Sequence, residues 1–122
     1  MIVAGFGFRQ GADAGSLRDA YDRARAGRRA DALATAADKA DAPALDALAS
    51  ELGLPTRGVP AAQLSAQATL TRSARVLAER ATGSVAEAAA LAAGGSGARL
   101  LGPRAISSDR MASCALAEGQ DP

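Results

Sequence analysis

The apolar residues of this chain are mostly alanine, and that limits how it can close a core. Hydrophobic residues make up 48% of the 122, yet the only aromatics are Phe6, Phe8 and Tyr21. Each buried methyl or methylene contributes roughly 0.8 kcal/mol, so an alanine layer stabilises much less than a leucine layer. Such a core closes only if its helices are thin and lie close to their neighbours. A second copy can complete a core of this kind, which makes a homodimer compatible with the composition. The length is that of one domain.

Several function classes are excluded by what is missing. Fourteen basic residues stand against 13 acidic ones, for a net charge of +1. No strong field points to nucleic acid or to an anionic membrane. There is no histidine, which removes the usual general base and the imidazole metal ligand. Cys114 is the only cysteine, so no internal disulfide or thiolate cluster can form. No resident metal or cofactor is expected. No apolar run reaches the ~18 residues of a transmembrane helix. The start, Met1-Ile2-Val3-Ala4-Gly5, does not read as a signal peptide, and a cytoplasmic location is expected.

Glycines punctuate a strand–helix rhythm. Ile2 to Gly7 reads as a buried first strand. An amphipathic helix over about 16–27 follows, with Ser16 and Asp19 as its cap and Gly27 as its stop. Ala32 to Ala37 reads as a strand despite the helical preference of alanine. Asp41 and Pro43 open a second helix carrying Leu45, Leu48, Ala49 and Leu52. Leu54 to Gly58 is a short strand, and Pro60 to Leu64 a helical turn. A third long helix starts near Ser73, and Ser84 with Glu87 caps another over Val85 to Ala93. Ala98 to Leu101 and Met111 to Ala117 are the last strands, with 102–110 as a loop. The domain is expected over 1–117, with 118–122 as a frayed tail. This order implies a single three-layer α/β/α domain with a mixed, largely parallel sheet. Ligands of such folds bind outside the carboxyl ends of the strands.

Few residues at those ends carry chemistry. Gly5-Phe6-Gly7-Phe8-Arg9-Gln10-Gly11 resembles a dinucleotide fingerprint, but its third glycine is misplaced. A nucleotide-binding module is therefore the last-ranked alternative. Bare backbone at Gly5 and Gly7 can admit a flat ligand, and Arg9 can grip a carboxylate or phosphate. Lys39 is the only lysine, all other basic residues being arginine. It offers either a compact charge for a ligand or a local ion pair with its aspartate neighbours. Thr71 and Ser73 precede a helix; a cap explains them, and so does an anion at the helix N-terminus. Glu87 is either the partner of Ser84 in a capping box or a general acid or base. Cys114 suits inert packing. Arg104 and Arg110 can bind an anion or lie solvated.

Taken in order, these segments resemble a known family. Gly5 to Ala12 looks like its opening G-x-G-x-R-x-G-A motif. Asp38-Lys39-Ala40-Asp41-Ala42-Pro43-Ala44-Leu45 is similar to its K-A-D-E-P-x-L segment. Thr71-Arg72-Ser73 matches its T-x-S, and Gly83 to Leu91 carries its S-V-A-E-A-A-A-L, the most specific of the four. The family is that of CobE and the CbiG C-terminal domain, in cobalamin biosynthesis. The resemblance implies a mixed α/β sheet and a role in building the corrin ring from precorrin intermediates. It implies a precorrin or corrinoid ligand, other enzymes of the pathway as partners, and a carrier or accessory role in ring contraction or deacylation. In longer members the related domain belongs to an enzyme that opens a cobalt-precorrin lactone and releases acetaldehyde. A hydrolase with Glu87 and Lys39 as catalytic residues is thus the alternative. Gly5, Gly7, Arg9, Thr71 and Ser73 carry over as ligand-binding positions. The family's glutamate after Ala-Asp is Ala42 here, which weakens the hydrolase reading.

Overall fold

The computed structural model describes residues 1–67, 85–95 and 97–119. The third long helix expected near Ser73, with Thr71 and Ser84, lies outside them. Strand β1 (Ile2–Phe8) is followed by helix α1 (Ala14–Arg25) and strand β2 (Ala32–Ala36). A 3-10 turn (Ala37–Lys39) leads into α2 (Pro43–Leu52), β3 (Thr56–Val59) and a short helix α3 (Ala61–Ser65). Beyond the undescribed stretch come α4 (Val85–Gly94), β4 (Arg99–Leu100), β5 (Ala105–Ile106) and β6 (Ala112–Glu118).

The sheet runs β3-β2-β1-β6-β4, with β5 also on the outer side of β6. β1, β2 and β3 are parallel neighbours. β6 pairs antiparallel with β1 over seven residues, from Ile2 against Glu118 to Phe8 against Ala112. β4 and β5 are antiparallel to β6 as well. The expected mixed α/β sheet is therefore present, and its parallel part is confined to three strands. β1 is the strand at which the path reverses, since β2 lies on one side and the last strand on the other.

The period of two assigns each strand residue to a face. Ala4 and Phe6 of β1, Leu33 of β2, and Cys114 and Leu116 of β6 face α1 and α2. There they cluster with Leu17, Tyr21, Leu45 and Leu48, all buried. Val3, Ala34 and Ala36 face the other way, toward Ala88 and Ala89 of α4 and Leu64 of α3. Two crossovers run in the same direction along the sheet, so α1 and α2 lie on one face. The return to β6 places α4 on the other.

The elements differ from expectation at their edges. α1 is capped by Asp13, not Ser16: the Ser16 N–H donates to Asp13 Oδ1 at 2.8 Å. Asp13 and Ser16 are both good caps, and the Ser16 hydroxyl lies between Asp13 Oδ1, at 3.1 Å, and Asp109 on the loop before β6. The helix ends at Arg25, with Ala26 left-handed before Gly27. α2 starts at Pro43 behind Ala42, and no side chain caps it, so Asp41 does not play that part. Proline at the first helical position has φ preset for the helix and brings no orphan N–H of its own. β2 stops at Ala36, and all five of its residues are buried, as a central parallel strand requires. Two residues of the expected 102–110 loop form β5. β6 continues past Ala117 to Glu118, whose carboxylate meets Arg99 at 3.1 Å, and the Gly119 N–H donates to Met1 O. No helix among the described residues is long and apolar enough to cross a membrane.

Candidate functional site

The carboxyl end of β1 is where three of the predicted residues, Gly7, Arg9 and Lys39, meet. Thr35, buried near the end of β2, donates its hydroxyl to Phe6 O at 2.9 Å and ties the two strands together. The 3-10 turn then carries the chain back toward β1. This puts the Lys39 ammonium on the Phe8 carbonyl oxygen, to which it donates. The same ammonium lies 4.9 Å from the centre of the Phe8 ring. A cation over an aromatic face is attracted by the ring quadrupole. Lys39 is half-buried, so its charge is fixed at the exit of the strand.

The two glycines of β1 do different work. A Cβ at Gly5 would land on the Ala86 carbonyl oxygen and lie 2.6 Å from Ala90 N. The space beside Gly5 therefore holds the α4 backbone, and on that face this glycine serves helix packing. Gly7, two residues on, sits under the start of α4. A Cβ there would meet Ser113 Oγ at 3.1 Å, Val85 Cβ at 3.5 Å and Ala86 N at 3.6 Å. Gly7 thus lies beside the helix N-terminus, where unpaired N–H groups favour negative charge. The Ser113 hydroxyl donates to Gly7 O at 3.3 Å across the β1–β6 pair.

Glu87 is fully buried in the first turn of α4. Its Oε2 accepts the Arg104 N–H at 2.8 Å, which fastens the segment before β5 to the start of the helix. A buried carboxylate holding a backbone N–H is a positioning arrangement. Arg9 follows β1 directly. Its N–H donates to Met111 O at 2.9 Å, and its exposed guanidinium has no partner among the described residues. Lys39, Gly7 and Arg9 are thus gathered at one strand end, with the first turn of α4 above Gly7. Gly5 lies under the helix. Glu87 reaches sideways to Arg104. Thr71 and Ser73 lie outside the described residues. Cys114 faces the α1 side in a fully buried position, and burial pushes its thiol well up, as inert packing requires.

A polar lock behind this end was not legible in the sequence. Asp109 accepts from the Ser16 and Ser107 hydroxyls, the latter at 2.6 Å, and from the Met111 N–H at 3.0 Å. These hydrogen bonds, Ser107 first, hold its carboxyl below the usual aspartate range. Asp19 of α1 accepts the Ser108 N–H at 2.7 Å, and that bond, together with Arg23, lowers its pKa as well. Both carboxylates pin the 107–111 loop to α1. The pairing joins residues some ninety positions apart, so no local spacing announces it. The whole end offers a seated ammonium, an exposed guanidinium and the first turn of a helix beside Gly7. That combination suits a planar anion.

Known proteins share this fold. The family described as "Cobalamin synthesis G C-terminus" matches residues 2–117. The crystal structure of CobE, a protein from the cobalamin (vitamin B12) biosynthetic pathway, superposes with a TM-score of 0.84 at 41% identity, over 96% of this chain and 89% of that one. The cobalamin biosynthesis protein chiG from Agrobacterium tumefaciens str. C58 gives a TM-score of 0.76 at 38% identity, over 99% of this chain and all of that one. A cobalamin biosynthesis protein G homolog from Sulfolobus solfataricus gives 0.68 at 22% identity, over 95% of this chain and 36% of that one, a likeness of fold. No curated protein sequence matches the chain.

Proposed function

The chain belongs to the cobalamin synthesis G C-terminus family of cobalamin-biosynthesis proteins, and from that premise we propose that it binds a precorrin-type tetrapyrrole at the carboxyl end of β1. It acts in the cytoplasm as a carrier or accessory that holds an unstable intermediate for the enzymes of ring contraction or deacylation. The observation that carries this reading is the station of Lys39, which the turn after β2 brings onto Phe8 O and over the Phe8 ring, at the end of the strand that Gly7 and Arg9 share. Precorrins are broad, flat and edged with acetate and propionate carboxylates. A fixed ammonium, the Arg9 guanidinium and the amide end of α4 can take those carboxylates, while the Phe8 ring, packed against the α1 side of the core, helps to seat the ammonium. Glu87 supports the site from behind by holding the Arg104 segment against α4.

The test is an anaerobic absorbance titration of the protein with a set of precorrin and corrinoid intermediates, with released acetaldehyde assayed in the same samples. Saturable band shifts without acetaldehyde are expected. Lys39→Gln should weaken binding about tenfold, the size of one lost charge-assisted hydrogen bond. No shift with any intermediate would overturn the reading. Acetaldehyde release would replace it with the hydrolase, and Glu87→Gln would then be the variant to assay for lost turnover.

A further inference from the structure

The hairpin between β5 and β6 carries an arginine where the backbone favours glycine. Arg110 has φ +62°, in the left-handed region. An L side chain is strained there, and glycine or asparagine holds the conformation more easily. The turn is well fixed. The Arg110 N–H donates to Ser107 O at 2.9 Å, the Ser107 N–H to Ala112 O at 2.9 Å, and the Ala112 N–H to Ser107 Oγ at 3.1 Å. None of these bonds needs the Arg110 side chain.

That side chain is exposed, and it pairs with nothing among the described residues. Its neighbour Asp109 would be the natural partner. The Asp109 oxygens already take the Ser16 and Ser107 hydroxyls and the Met111 N–H. Asp19 of α1, which also faces this loop, is taken by the Ser108 N–H and Arg23. The hairpin therefore holds Asp109 and Asp19 in other bonds, and the guanidinium has no partner among the described residues. The Arg9 N–H donates to Met111 O, so Arg9 and Arg110 flank adjacent strands at the same end of the sheet. This is also the end where Lys39 meets Phe8.

We propose that Arg110 is a further ligand-binding residue, gripping rim carboxylates of the tetrapyrrole together with Arg9. The inference rests on the tetrapyrrole reading above and names one more group that recognises that ligand. Backbone strain is kept at position 110 because the side chain it carries is needed for binding. Stability and affinity should then move in opposite directions when the residue is replaced.

The experiment compares the wild-type protein with Arg110→Gly, Arg110→Asn and Arg110→Lys. The probes are the corrinoid set and uroporphyrin, a stable tetrapyrrole with acetate and propionate chains on every ring. Affinity is read by absorbance at low and high salt, and thermal stability on the same preparations. Glycine and asparagine should leave the melting temperature unchanged or raised and weaken binding about tenfold. Their affinity should also depend less on salt, and lysine should restore part of the loss. If the wild type binds and all three variants bind equally well, the proposal for Arg110 is overturned and the tetrapyrrole reading stands. If glycine and asparagine lower stability and affinity together, Arg110 is a structural residue and the proposal also fails. A wild-type protein that binds no probe overturns the tetrapyrrole reading and this proposal with it.

Discussion

On one face of the sheet Phe6, Leu33 and Leu116 meet Leu17, Tyr21, Leu45 and Leu48, while on the other face glycine and alanine meet the alanines of α4. The first face is filled by volume. Each buried leucine or phenylalanine contributes roughly 1.5–3 kcal/mol. The second has little volume to bury and gains by approach, with the α4 backbone lying where a Gly5 side chain would be. Close approach maximises the many weak contacts of small groups. It also fixes the start of α4 over Gly7, next to the strand end that carries Lys39 and Arg9. The thin face thus sets the position of the site, and the thick face supplies most of the apolar burial.

The largest effect should come from breaking the approach. Gly5→Ala puts a methyl onto backbone atoms of α4, which cannot rotate away. A loss of about 4 kcal/mol or more is expected, since overpacking against backbone leaves no cheap relaxation. Gly7→Ala makes the control. Its nearest neighbour is the Ser113 hydroxyl at 3.1 Å, which can turn. That variant should lose about 1 kcal/mol or less. Urea midpoints of both give the comparison, and equal losses would mean that α4 is not held by approach at Gly5.

The thick face should respond in the usual way of a leucine core. Leu33 is completely buried between the helices and β1. Leu33→Ala should cost about 3 kcal/mol through lost burial and the cavity left behind. It should leave tetrapyrrole affinity almost unchanged per folded molecule, because its side chain points away from α4. A drop in affinity at full folding would show that the two faces are coupled through the sheet.

Much of this contrast was legible in the chain, and the reasons differ by element. β1 and β2 are short apolar runs between turn signals, and burial on both faces overrides the helical preference of the alanines at 32–36. The meeting of Gly7, Arg9 and Lys39 followed from the strand-end rule once those strands were placed. The work of Gly5 was less visible, because a glycine opening a site and a glycine admitting a helix look alike in sequence. β5, at two residues, is too short to carry a period. The α1 cap moved from Ser16 to Asp13 because Ser16 also answers to Asp109, far along the chain. The bond from Arg104 N–H to Glu87 is likewise a tertiary fact, to which the spacing of Ser84 and Glu87 gave no clue.

The two faces also differ in how their helices are fastened, and pH should separate them. α1, on the thick face, is pinned by Asp19 and Asp109, whose pKa values are both held below 3.8 in the folded chain by N–H and hydroxyl donors. Above that value the carboxylates are ionised in folded and unfolded chains alike, and the contribution of these bonds is complete. As pH falls below 3.8 the unfolded chain takes up protons first. The contribution then shrinks, and it is gone once pH passes the lower folded values. Both groups face solvent, so this should be the smallest of the effects. A series of urea midpoints from about pH 6 down to about pH 2.5 would measure it. Asp109→Asn should flatten the decline below pH 4 or so, where aspartate titrates. Gly5→Ala should keep the wild-type slope at a lower midpoint, because its lesion lies under α4, where neither aspartate reaches. A wild-type slope retained in Asp109→Asn would remove that residue as a pin of the thick face and leave Asp19 to account for the acid dependence.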